Sequence, residues 1–124
     1  MSTEFQTSKP IYSQIADRIV QQFVRGELLP GEKLPSVREM AIQSGVNPNT
    51  IQRTYGELER LGVVETKRGQ GTFMTEKNEM IQKMRTDIQQ EIIQAFIQNM
   101  RQIGLSDEEI HHSVHECLKG GGAS

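Results

Sequence analysis

Apolar residues recur at steps of three and four between residues 10 and 45, the spacing of amphipathic helices. Pro10 predicts the start of a first helix, because a first-turn residue needs no N–H donor. Ser36 and Glu39 form the S-x-x-E pattern of a capping box and predict the start of a second helix, and Gly45 predicts its end. The apolar stripe of the first helix comprises Ile11, Ile15, Ile19 and Phe23.

A third helix and a hairpin follow. Asn47 predicts an N-cap and Pro48 the first helical residue. The buried face of this helix is expected to comprise Ile51, Tyr55, Leu58 and Leu61. After Gly62 the period changes, and residues 63–67 and 72–74 read as two strands joined by the turn 68–71. This order of elements predicts a winged helix-turn-helix.

Residues 78–103 predict one long helix with a sustained apolar stripe. Ser106 and Glu109 form a second capping box, from which a last helix runs to about residue 118. The fold class is therefore mainly α with a small β-hairpin. We expect a winged helix-turn-helix DNA-binding domain at 9–75, a two-helix dimerisation region at 76–119 and a disordered tail at 120–124. The stripe comprises Ile81, Met84, Ile88, Ile92, Ala95, Phe96, Met100 and Ile103.

Charge and composition narrow the class of protein. The net charge is −2, but it is unevenly spread: residues 1–75 carry about +1 and residues 76–124 about −3 when Lys and Arg are set against Asp and Glu. Local basic groups can still contact phosphates, whereas the low net charge argues against a large non-specific electrostatic binder. The chain lacks an apolar run of membrane length and a signal-peptide pattern. With its single Cys117, it is expected in the reducing cytoplasm.

The outer face of the third helix carries the candidate chemistry. On a helical wheel with about 100° per residue, the face opposite Ile51 presents amide and guanidinium groups. Asn and Gln pair with adenine and Arg with guanine in the major groove, although any amphipathic helix has a polar outer face. Residues early in a recognition helix reach bases, so Asn49, Gln52 and Arg53 are expected to read bases. Arg60, late in the helix, is expected near solvent or a phosphate. The polar face comprises Asn49, Gln52, Arg53, Gly56 and Arg60.

Three neighbouring features favour DNA binding. Asn47 and Pro48 are expected to leave unbonded amides for a phosphate at the helix start. Arg38 lies in the first turn of its helix, where a phosphate or guanine contact explains a positive charge; an ion pair with Glu39 or Glu57 is the alternative. The wing is small and basic, as a groove-contacting turn requires, although it also fits a solvated turn. The wing residues are Lys67, Arg68, Gly69, Gln70 and Gly71.

The segments G-E-K-L-P-S-V-R-E-M-A, G-V-N-P-N-T-I-Q-R-T-Y-G-E-L-E-R-L-G-V-V and R-G-Q-G-T-F-M, with P-I-Y-S-Q-I-A-D-R-I before them, resemble the GntR family of bacterial transcription regulators over residues 9–75. The resemblance implies a repressor that contacts double-stranded DNA. The short tail resembles the YtrA-like branch, whose members often control ABC-type transporter operons. The implied contact residues are Arg38, Pro48, Asn49, Thr50, Gln52 and Gly69.

The two helices predicted after residue 76 cannot enclose a separate ligand domain. Their apolar stripe would be exposed in a monomer, and exposed stripes of this kind usually mark an interface. A two-fold homodimer would hold two recognition helices about 34 Å apart on an inverted-repeat operator. The alternative is a helix folded back on its own winged domain. Methionines along this region could also line a small-molecule effector site between protomers.

Other functions remain open. His111 and His115 share a helix face with Glu108 and could bind a metal, form a pH-sensitive dimer contact or simply be solvated. A metal- or ligand-responsive regulator and a winged-helix protein-interaction module are therefore the alternative functions. The chain has no nucleophile–base arrangement and no phosphate loop, so we expect no enzyme and no cofactor. Without an apolar run of membrane length, we also expect no membrane partner.

Overall fold

The computed structural model describes residues 8–120. The predicted disordered tail therefore lies outside the described residues, except for Gly120. Five helices and two strands follow one another in the described range: α1 (Ile11–Val24), α2 (Val37–Ser44), α3 (Pro48–Arg60), β1 (Val64–Lys67), β2 (Gly71–Met74), α4 (Asn78–Gln102) and α5 (Asp107–Lys119). No helix in this range is long and apolar enough to cross a membrane.

Local side-chain chemistry begins and ends α2 as predicted. The Ser36 hydroxyl accepts a hydrogen bond from the Glu39 amide at 3.1 Å, and the Glu39 carboxylate accepts one from the Ser36 amide at 2.9 Å. Gly45 follows α2 with a φ of +70°, a left-handed conformation that glycine adopts without a Cβ penalty. The predicted capping box and helix end are confirmed.

The hairpin has a third pairing partner that the sequence did not indicate. β1 and β2 pair antiparallel, with Val64 opposite Met74 and Lys67 opposite Gly71. On the other edge of β2, the Met74 amide donates to the Glu32 carbonyl and the Leu34 amide to the Thr72 carbonyl, both at 2.8 Å. Residues 32–34 are too few to show a strand period, so only the pairing reveals them.

The first of two compact units, Met1–Arg85, contains a filled apolar core. The back of α3 supplies its least exposed side chains, with Ile51, Thr54 and Leu58 at 0% exposure. Leu61, expected on this buried face, is 47% exposed. That expectation was wrong because α3 ends at Arg60 and Leu61 is already its C-cap. Other core residues include Ile15, Ile19, Phe23, Leu34, Val64 and Met74.

The first unit also includes the start of α4. Met84 is buried in the core, and Met80 and Ile81 pack against it. The division between the compact units therefore falls after Arg85, ten residues beyond the expected domain end at 75. Met84, expected in the dimerisation stripe, is buried in the core of its own chain, and Ile81 is half-buried against that core.

The second unit, Thr86–Ser124, contains the rest of α4 and all of α5. The predicted capping box at Ser106 and Glu109 is confirmed by hydrogen bonds of 2.8 and 3.2 Å. Of its described residues, only Ile110 is buried. The remaining members of the predicted stripe are exposed or half-buried: Ile88, Ile92, Ala95, Phe96, Met100 and Ile103.

Candidate nucleic-acid interface

The start of α3 is capped by Asn47. The Asn47 side chain accepts the Asn49 amide at 2.7 Å, and the Asn47 carbonyl accepts the Thr50 amide at 2.9 Å. Pro48 has no amide hydrogen. The Asn49 and Thr50 amides are therefore not free for a phosphate, contrary to the expectation of unbonded amides at this helix start. A phosphate here would meet the helix dipole and the exposed side chains instead.

The front of α3 is open to solvent. Asn47, Pro48, Asn49 and Gln52 are exposed, and Thr50 is half-buried. A Cβ added at Gly56 would meet nothing within 4 Å, so another molecule could approach the backbone there. The amides of Asn49 and Gln52 form no side-chain hydrogen bond within the described residues and remain available to base edges.

The back of α3 is anchored by two hydroxyl groups. The Thr54 hydroxyl lies 3.1 Å from the Tyr12 carbonyl and 2.9 Å from the Thr50 carbonyl. The Tyr55 hydroxyl donates to the Pro35 carbonyl at 2.7 Å. Burial, and secondarily the charge of Glu39, raises the pKa of Tyr55 to about 12. These bonds fix α3 against α1 and against the segment before α2.

The two arginines of α3 are each engaged by another side chain. The Arg53 guanidinium lies over the Tyr12 ring, 4.1 Å from its centroid. Arg60 donates to both carboxylate oxygens of Glu57, at 3.1 and 2.6 Å. This hydrogen bond is the main reason that the pKa of Glu57 is lowered and that of Arg60 raised. Arg60 is thus bonded to Glu57, while its side chain stays 67% exposed to solvent, as expected.

Arg38 is exposed on the first turn of α2. It pairs with neither Glu39 nor Glu57 among the described residues. The Glu39 carboxylate is bonded to the Ser36 amide and the Glu57 carboxylate to Arg60. The alternative of a surface ion pair is not formed, and the guanidinium is available to an external anion.

The wing turn projects small and basic residues. Arg68, Gly69 and Gln70 are exposed. Gly71 has a φ of +126°, a backbone conformation that residues with a Cβ rarely adopt, which favours glycine at this position. The Lys67 ammonium lies 4.7 Å from the Phe73 ring centroid. The turn therefore presents Arg68 and Gln70 as its outermost polar side chains.

The second unit has an apolar groove of about 580 Å³ between α4 and α5. His111 and His115 lie along it and are exposed. The described residues hold no cluster of three or more His, Cys, Asp or Glu side chains that could bind a metal ion. Metal binding by these histidines stays a prediction. The apolar lining comprises Ile93, Phe96, Ile97, Ile110, Val114 and Leu118.

Comparison with known proteins matches residues 11–74 to the bacterial regulatory proteins of the gntR family. The HTH-type transcriptional regulator YhcF of Bacillus subtilis strain 168 is 55% identical over 121 residues, 98% of this chain and 100% of that protein. The HTH-type transcriptional repressor YtrA of the same strain is 38% identical over 120 residues, 93% of this chain and 92% of that protein.

Solved structures show the same likeness. A GntR family transcriptional regulator from Listeria monocytogenes is 41% identical, with a TM-score of 0.83 over 90% of this chain and 98% of that chain. The AraR DNA-binding domain in complex with operator ORX1 is 31% identical, with a TM-score of 0.54 over 58% of this chain and 93% of that chain. The first likeness extends beyond the winged helix into the helices that follow it.

Proposed function

The chain belongs to the gntR family of bacterial regulatory proteins and is a DNA-binding transcriptional regulator, not an enzyme. We propose that it is a repressor that binds an inverted-repeat operator as a homodimer. The observation that carries this proposal is the two-sided character of α3. Its back is fully buried at Ile51, Thr54 and Leu58, while its front exposes the side chains of Asn49 and Gln52. A rigidly held helix with a polar front suits the major groove.

The assigned roles follow from this geometry. Asn49 and Gln52 read base edges, Arg38 binds a phosphate or a guanine, and the wing turn lies along an adjacent groove. The AraR domain, which resembles this chain, was solved on an operator. The repressor role is supported by the similarity to the repressor YtrA. Control of an ABC-type transporter operon rests on the resemblance to the YtrA-like branch alone.

The homodimer is supported by the second unit. Ile92, Phe96, Ile103 and Leu118 are 63, 39, 72 and 77% exposed, and an apolar surface of this kind usually marks an interface. We propose that a second copy covers the groove between α4 and α5. Two-fold symmetry would then present two reading helices to successive major grooves.

A gel-shift experiment with the DNA upstream of the chain's own operon tests the function. We expect a specific, salt-sensitive band that Gln52→Ala and Asn49→Ala each weaken by roughly 5- to 150-fold, the worth of a bidentate base contact. Glu59→Ala, an exposed change on the same helix, is the matched control and should bind at least as well as wild type. Unchanged binding by the Gln52 and Asn49 variants would contradict the proposed reading face.

A further inference from the structure

Arg53 differs from the other polar residues of α3 because an aromatic ring holds its end. Its guanidinium carbon lies 4.1 Å from the centroid of Tyr12, well inside the roughly 6 Å range of cation–π attraction. The stack covers a face of the planar guanidinium. Its N–H donors lie in the plane and point outward from the edge, so stacking orients Arg53 without consuming its donors.

Tyr12 is itself held in place by α3. Its backbone carbonyl lies 3.1 Å from the hydroxyl of Thr54, which is 0% exposed and adjacent to Arg53 in the chain. The first turn of α1 and the middle of α3 are therefore fixed to each other beside the stack. This contact holds the Tyr12 backbone, from which the ring projects, beside Arg53.

Neighbouring acidic groups leave the Arg53 donors unused. Glu57, one turn along the helix, has both carboxylate oxygens bonded to Arg60. Arg53 remains exposed. Besides the hydrogen bond from Arg60, the charge of Arg53 helps to lower the pKa of Glu57, but Arg53 forms no hydrogen bond or ion pair within the described residues. It is a pre-oriented cation whose donors face solvent, which suits an external anion.

We propose that Arg53 binds a backbone phosphate of the DNA and that Tyr12 is the residue that positions it. On the helical wheel Arg53 points outward like Asn49, but the stack draws its guanidinium towards α1 and away from the front of α3. In a major-groove helix the front faces the bases, and the flanks face the phosphates that wall the groove. This role replaces the base reading expected of Arg53 from the sequence, and it rests on the proposed DNA-binding function.

Fluorescence anisotropy on two duplexes tests the assignment, using the operator found by gel shift and a scrambled duplex of equal length. Dissociation constants would be measured over a series of salt concentrations. The proteins are wild type, Arg53→Gln, Tyr12→Leu, Tyr12→Phe and the double variant Tyr12→Leu/Arg53→Gln. Arg25→Gln removes the same charge at the far end of α1 and is the matched control. Thermal unfolding of every variant separates lost binding from lost fold.

A phosphate contact has a specific signature. Arg53→Gln should weaken binding to both duplexes by a similar factor, about tenfold or more, and reduce the salt slope by about one for each bound subunit. Tyr12→Leu should reproduce part of this loss but add nothing in the Arg53→Gln background. Tyr12→Phe keeps the ring and should bind like wild type, as should Arg25→Gln.

Other outcomes overturn the assignment. If Arg53→Gln changes the preferred base at one operator position and leaves the scrambled duplex unaffected, Arg53 reads a base. If the losses from Tyr12→Leu and Arg53→Gln are additive in free energy, Tyr12 does not act through Arg53. If the wild-type protein bound both duplexes equally, the proposed operator function would be contradicted instead. The wild-type affinities for the two duplexes are therefore measured before any variant is compared.

Discussion

The two compact units differ in how far their apolar side chains are buried. In Met1–Arg85 the apolar residues of α1 and α3 meet around Ile51 and Leu58, both at 0% exposure. In the second unit, only Ile110 is buried among the described residues, and Ile92 on α4 is 63% exposed. The first unit has a complete core, and the second presents an apolar surface.

This difference indicates that the two units have different roles. Three helices and a hairpin can surround a core, whereas two helices have only one contact between them and leave their other apolar faces outside. The first unit can therefore hold the reading helix rigid by itself. The second needs a further surface to bury its stripe, which is the physical basis for proposing a second copy there. Four predictions test this contrast.

The largest effect should come from the core of the first unit. Leu58→Ala removes a fully buried side chain and should lower the free energy of unfolding by about 3 kcal/mol. Ile92→Ala in the second unit removes a side chain that is 63% exposed and should change it by less than about 0.5 kcal/mol at concentrations where the chain is monomeric. Urea unfolding measures both. Equal losses of unfolding free energy in Leu58→Ala and Ile92→Ala would contradict this difference between the two units.

A charge on the exposed stripe should break the dimer. Phe96→Asp places a carboxylate on the apolar groove and should raise the dimer dissociation constant by at least about 100-fold, since an unpaired charge is costly to bury. Gln98→Asp adds the same charge about 200° around the helix and should leave the dimer intact. Sedimentation equilibrium distinguishes them. A dimer that survives Phe96→Asp but not Gln98→Asp would use the opposite face of α4.

Alkaline pH should remove a stabilising contribution of Tyr55, which lies in the first unit. The folded state holds the pKa of Tyr55 at about 12 instead of 10.0, so its neutral form is favoured by folding. This contribution is fully present below pH 10.0 and is lost as pH rises to about 12, a change of about 2 kcal/mol. Denaturant unfolding across this range measures it.

Tyr55→Phe is the control for that pH dependence. It removes the hydrogen bond to Pro35, which should lower stability by about 1 kcal/mol at neutral pH. It should also flatten the decline between pH 10 and 12, because no phenol remains to ionise at that position. An unchanged slope in Tyr55→Phe would assign the alkaline loss to other groups.

The smallest expected loss of stability comes from the two capping boxes, which have the same S-x-x-E pattern. Ser36→Ala and Ser106→Ala each remove a hydroxyl that caps a helix, a loss of about 1 kcal/mol. For Ser36 this loss should be independent of protein concentration. For Ser106 it should also appear as weaker dimerisation, since α5 is part of the proposed interface. Thermal unfolding at several concentrations tests this, and concentration-independent losses at both sites would contradict it.

Local chemistry determined much of the fold before any contact was known. The starts of α2, α3 and α5 depend on side chains within three residues of the cap: Ser36 with Glu39, Asn47 with Pro48, and Ser106 with Glu109. The exposure of Asn49 and Gln52 likewise followed from the helical period. Such features need no distant partner, so the residues themselves predicted them.

Tertiary contacts decided the rest, because their partners come from distant parts of the chain. Tyr12 reaches Arg53 and Thr54, and the Glu32 carbonyl pairs with Met74; no local pattern predicts either meeting. Met84 continues the same stripe as Ile92, yet the core of its own unit covers Met84 and leaves Ile92 exposed. Periodicity shows that a side chain should be buried, and only the packed structure shows what buries it.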